Sequence, residues 1–151
     1  MSDENEREVY KQHRAAQEKY VYFLLAPAGA AIAFAATQTA SATLHWDHAP
    51  LGAAVFCWAA SFFCGSRHLT YVAVYLFSNV ELMRVEGGRH PHTGKHPQII
   101  AAAAEGIRSA MISNNERASR FGHWQFRLLV AGAIFYVGWH VLEMYLRAAS
   151  A

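Results

Sequence analysis

The chain of 151 residues has two cysteines, four prolines and none of the short motifs that mark common hydrolases or nucleotide-binding proteins. Each shortage excludes something. Cys57 and Cys64 stand seven apart in an apolar run, so a helix carries them on nearly one face, about two turns apart, where no disulfide can join them. No disulfide framework is implied. So few prolines leave no linker between domains, and one compact helical domain is the default for this length. The patterns G-x-S-x-G, G-x-x-x-x-G-K-[ST], H-E-x-x-H and C-x-x-C are all absent. Gly87 and Gly88 follow no strand, which removes the remaining candidate for a phosphate loop. The reading is therefore non-enzymatic, and no cofactor is implied.

The most informative shortage is of charge. From Tyr20 to Leu44 the chain contains no Asp, Glu, Lys or Arg. A helix rises about 1.5 Å per residue, so roughly 20 apolar residues cross the hydrocarbon core of a bilayer. This stretch has that length. A second apolar run extends from Leu51 to Ser66 and a third from Phe126 to Leu146. The slightly positive mean hydropathy fits a few spans joined to a water-exposed part, and is too low for a polytopic transporter. The polar, acid-containing segment before Tyr20 lacks the compact basic start of a cleavable signal, so the first span is expected to be retained.

In chain order, residues 1–19 read as an aqueous amphipathic helix, acidic at its start and basic towards its end, running into a first span at 20–43. Tyr20 and Tyr22 suit an interface, and Pro27 is placed to kink the span. Ala26, Ala30 and Ala33, with Gly29 beside them, form a face small enough for another helix to approach closely, although alanine is also simply abundant here. Leu44 to Pro50 is expected to be a short loop, with Pro50 opening the next helix. The second span, 50–66, is followed by Leu69, Val72, Leu76, Val80 and Met83 at helical spacing. That segment is either a continuation of the helix or a separate span.

The positive charges decide between the two. With three spans and a cytoplasmic amino terminus, twelve of the thirteen Lys and Arg residues lie inside and only Arg147 lies outside. Making Leu69 to Met83 a span would move seven of them, from Arg84 to Arg127, to the outside. Three spans are expected, with the second helix continuing to about Glu86 and projecting roughly 30 Å into the cytoplasm. Residues 87–96 form the tip of a hairpin, and a cytoplasmic helix follows over 97–123. Within it Ile100, Ala104, Ile107, Met111, Asn114, Ala118, Phe121 and Gln125 keep a four-three spacing, the mark of a seam against a partner helix. Asn114 and Gln125 either fix register or mark places where the seam opens to water. The third span occupies 126–146. The fold class is thus an all-α integral membrane protein with three transmembrane helices, the second and third extended into a cytoplasmic antiparallel hairpin.

Nine histidines raise the question of metal. His45, Asp47 and His48 form one cluster, and His90, His92 and His96 another; a structural zinc site needs about four such ligands. Neither cluster supplies four, and the topology separates them across the membrane. The hairpin cluster also reads as a solvated, weakly basic loop. Arg84, Arg89 and Lys95 beside it are candidates for contact with lipid headgroups or a partner protein. Nucleic acid is not implied, because the basic residues are interleaved with acids and already explained by topology.

Three spans are too few to enclose a solute path in one protomer, so a homo-oligomer is expected. Gln38, His140 and Glu143 are the pore-lining candidates, with Thr37, Thr39 and Ser41 near the first of them. Each also has a plainer reading as a headgroup-level polar residue, and Glu143 with Arg147 as an ion pair four residues apart. In the order of its helices the chain resembles the small helical membrane effectors of bacterial defence islands, such as the SLATT family, but with three spans instead of two. That resemblance implies membrane perturbation by an assembled pore and assigns no residue a role. The expected function is an oligomeric, non-enzymatic protein of the bacterial inner membrane that forms or gates a permeation path, its carboxyl terminus outside. The alternative is a membrane scaffold or accessory subunit whose hairpin docks a cytoplasmic partner.

Overall fold

The computed structural model describes residues 3–39, 46–93 and 96–149. Among these residues every regular element is helical: α1 is Asp3–Thr39, α2 is Ala49–Glu86 and α3 is Pro97–Ala149, with a short 3-10 turn at Trp46–His48 ahead of α2. All three α-helices are long and apolar enough to cross a membrane. The charge-free runs explain why, since every backbone polar group in hydrocarbon needs an internal partner and a helix supplies it. Pro27 is accommodated inside α1. Pro50, expected to open the second helix, is preceded in it by Ala49.

The end of α2 is fixed by its glycines. Gly88 has φ of 62°, a left-handed conformation that costs glycine nothing. The Gly88 amide donates to the Val85 carbonyl at 3.0 Å and the Arg89 amide to the Arg84 carbonyl at 2.9 Å. Those two bonds are the Schellman pair that satisfies otherwise orphaned carbonyls. Pro97 opens α3, where its missing N–H is no loss, and the Ile100 amide closes the first helical bond on the His96 carbonyl at 3.0 Å.

The chain divides into two compact units, one formed by residues 1–65 and 123–151, the other by 66–122. In the first, Val21, Leu24, Ala28 and Ala35 of α1 are buried, as are Leu51, Ala54 and Trp58 of α2 and Trp139 of α3. Ala35, Leu51, Ala54, Trp58 and Trp139 form its central cluster, with Tyr136 packed against it. Close approach depends on two glycines. A Cβ on Gly132 would stand 2.5 Å from the Trp58 indole nitrogen, and one on Gly65 2.6 Å from the Gln125 amide and 2.7 Å from Leu25. The Ser61 hydroxyl donates to the Gln125 backbone carbonyl at 2.7 Å, a bond of the kind that joins helices where water is absent.

In the second unit the four-three spacing of α3 coincides with burial. Ala104, Met111 and Ala118 are buried, and Ile100, Ile107, Asn114 and Phe121 are half-buried. His68 meets Ala118 and Glu86 pairs with Arg108, so contacts retreat along α3 as they advance along α2, and Tyr71 stacks on Phe121 near the first of these. The Ala118 oxygen can only accept, so the Nδ1 of His68, 2.7 Å away, carries the proton. Gly122 gives the ring its room, because a Cβ there would lie 3.2 Å from Nδ1.

Candidate functional site

Among the pore candidates, Gln38 is exposed at the end of α1, next to Thr39, whose hydroxyl turns back to the Ala35 carbonyl at 2.9 Å. Thr37 likewise donates to the Phe34 carbonyl at 2.8 Å, so both threonine hydroxyls are spent on their own helix. Ser41 and His45 lie outside the described residues. His140 is exposed and stacks on Tyr136, ring centroids 6.5 Å apart. Glu143 is half-buried and accepts from Arg147, the ion pair foreseen from their spacing. The sequence candidates therefore stay separate: Gln38 and His140 stand on outer surfaces of their unit, and Glu143 is engaged by its neighbour.

At the other candidate region, Arg84 is paired with Glu81 at 2.7 Å, while Arg89 extends over Gly87. Val80, Met83, Arg84 and Arg89 line an open hollow of about 350 Å³. Lys95 lies outside the described residues. His90 and His92 come together with ring centroids 5.6 Å apart, and the His92 amide donates to Nδ1 of His90 at 3.3 Å, which occupies one potential ligand atom. His90 also lies 3.8 Å from Glu81, and His96 is exposed. Among the described residues no three His, Cys, Asp or Glu side chains gather as they would around a metal ion. His48 is turned onto Trp139, ring centroids 6.2 Å apart.

Three features escaped the sequence reading. The first is Gln125, a seam position that is only 1% exposed and so does not open to water. Neither of its amide atoms has a hydrogen-bond partner among the described residues. The second is the outward face of α1. At 100° per residue Ala26, Ala30, Ala33 and Thr37 lie opposite the buried Val21, Leu24, Ala28 and Ala35, and all four are exposed. The alanines were visible in the sequence; that none of the described helices covers them was not.

The third is a group in the second unit. The Arg67 guanidinium donates to the Tyr71 hydroxyl at 3.2 Å, its carbon 5.2 Å from the ring centroid. The Arg117 guanidinium carbon lies 6.0 Å from the same centroid and adds a second cation beside the hydroxyl. The i, i+4 spacing of Arg67 and Tyr71 was legible, but Arg117, fifty residues on from Arg67, carried no local signal.

No protein-family model, no curated protein and no solved structure matches this chain.

Proposed function

We propose that this chain is a non-enzymatic subunit of a membrane homo-oligomer that forms or gates a permeation path, of the membrane-perturbing kind that the helix order suggests. In this reading the amino terminus is cytoplasmic, the carboxyl terminus lies outside, and residues 66–122 form an antiparallel hairpin on the cytoplasmic side of a bacterial inner membrane. The observation that carries the reading is the uncovered small-residue face of α1, Ala26, Ala30, Ala33 and Thr37. In lipid, helices associate through close packing and interhelical hydrogen bonds, since acyl chains are as apolar as leucine. A face of small side chains permits that approach, and a second copy of the chain is its simplest partner. The exposed Gln38 and His140 add support, because polar groups at the outer surface of a spanning unit gain partners, or water, on assembly.

The test is dye release from liposomes containing the full-length protein. Release should rise steeply with the protein-to-lipid ratio, fall on Ala30→Leu with Ala33→Leu, and change in solute selectivity on Gln38→Leu or His140→Leu. Tight liposomes at every ratio would sink the permeation reading.

The scaffold reading has its own observation. Val74, Phe77, Val80 and Met83 are exposed apolar residues of the second unit, and Arg84 and Arg89 adjoin the last two. An apolar strip edged by cations suits an amphipathic helix with acidic flanks. A stoichiometric partner that co-purifies with wild type and is lost on Arg84→Glu with Arg89→Glu would favour it.

A further inference from the structure

The cations of the second unit fall into two kinds. Arg84 is paired with Glu81 and Arg108 with Glu86. Arg67 and Arg117 take part in no ion pair among the described residues, yet helices α2 and α3 hold both beside one neutral phenol. That phenol is fixed in place. Tyr71 stacks on Phe121 with centroids 5.6 Å apart and planes 18° apart, and three residues before it His68 ties α2 to the Ala118 carbonyl.

Two like charges gathered without a counter-charge repel each other, and the phenol hydroxyl satisfies only a small part of ten guanidinium N–H groups. An anion with several acceptor oxygens relieves both deficits. Phosphate does so best, because its oxygens match the guanidinium fork two at a time and the Tyr71 O–H can donate to it as well. The place along the chain indicates the source. Arg67 is the first Lys, Arg, Asp or Glu after Asp47, so it stands where the uncharged run of α2 ends, the level at which lipid headgroups meet a spanning helix.

We propose that Arg67 and Arg117, with the Tyr71 hydroxyl, hold the phosphate of an anionic phospholipid. The site rests on the second span ending near Gly65 to Arg67 and is independent of whether the assembly conducts. Bound lipid would link α2 to α3 through a shared counter-ion, so the headgroup composition of the membrane would bear on the stability of the second unit.

The test uses the full chain in a neutral detergent, titrated with phosphatidylglycerol, with phosphatidylcholine of the same acyl chains, or with inorganic phosphate, and retained ligand is counted by native mass spectrometry. Phosphatidylglycerol should be retained in preference to phosphatidylcholine. Removing both cations in Arg67→Gln with Arg117→Gln should weaken its binding on the order of 30-fold. Tyr71→Phe should weaken it about fivefold, the worth of one hydrogen bond. Arg120→Gln, exposed on the same helix, should leave it unchanged. Should the double glutamine variant fail to fold, Arg67→Lys with Arg117→Lys keeps the charge and loses the fork, and is expected to bind with intermediate affinity. Equal retention of the two lipids by wild type, or undiminished phosphatidylglycerol binding by both double variants, overturns the proposal. Inorganic phosphate that binds as well as the lipid would assign the site to a soluble anion and overturn its lipid source.

Discussion

In the first unit helix contacts are set by shape: Trp58 fills the place that a side chain on Gly132 would take, Gly65 admits the Gln125 side chain, and Tyr136 joins Phe34, Trp58 and Trp139 ring to ring. In the second a buried apolar seam, Ala104, Met111 and Ala118, is joined by polar contacts: His68 on the Ala118 carbonyl, Arg108 on Glu86, and two arginines around Tyr71. The difference follows the composition. Residues 49–66 of α2 offer no charge, so register there can come only from fit and from hydroxyl or amide groups. From Arg67 onward charged side chains are available, but their contacts are partly exposed and each contributes less. The first unit should therefore tolerate volume changes poorly, and the second should respond mainly to changes of hydrogen bonding and salt.

The comparison is broken most sharply at Gly132. Gly132→Val forces Trp58 from its place and is expected to cost about 3 kcal/mol, read by thermal or denaturant unfolding in micelles, because overpacking a close contact leaves nowhere for the added carbons. Gly138→Val, six residues on with open space around it, should change stability by less than about 0.5 kcal/mol. Equal effects at the two glycines would remove shape as the organising term of the first unit.

The sign at Gln125 sharpens the same point. Its amide is buried with no partner among the described residues, so Gln125→Met, of similar length and without the orphaned atoms, is expected to stabilise by about 1 kcal/mol. Destabilisation would mean that the amide is satisfied in the working protein, for instance by another copy of the chain.

Smaller effects belong to the second unit. His68→Phe loses one helix-to-helix hydrogen bond and should cost about 1 kcal/mol, with little change at the Ala118 amide group's own helical bonding. Glu86→Gln removes the partner of Arg108, where both side chains are about half exposed, and should cost no more than about 0.5 kcal/mol. That difference should vanish near 1 M salt, where charges a few ångströms apart are screened.

The three apolar helices were legible because a charge-free run of spanning length has few alternatives to a helix. The end of α2 was legible in Gly87-Gly88, and the buried stripe of α3 in the four-three spacing from Ile100 to Phe121. What could not be read were contacts between residues far apart in sequence. Trp58 and Gly132, Gly65 and Gln125, and Arg67 and Arg117 carry no local signal of one another, and a charge count that favours one topology says nothing of which charges meet one another. Gln38, His140 and Glu143 were selected for being polar within apolar runs. That criterion finds where polarity sits, and cannot tell a group facing outward, such as His140, from one tied to its neighbour, such as Glu143.

The central claim is that copies of this chain assemble through the small-residue face of α1. Its most direct test is the number of chains per particle, measured by mass photometry of the full-length protein in lipid nanodiscs large enough for several copies. Particles holding several chains, reduced to one by Ala30→Leu with Ala33→Leu, are the predicted result. Single chains at all protein-to-lipid ratios, or an assembly indifferent to both substitutions, would contradict it.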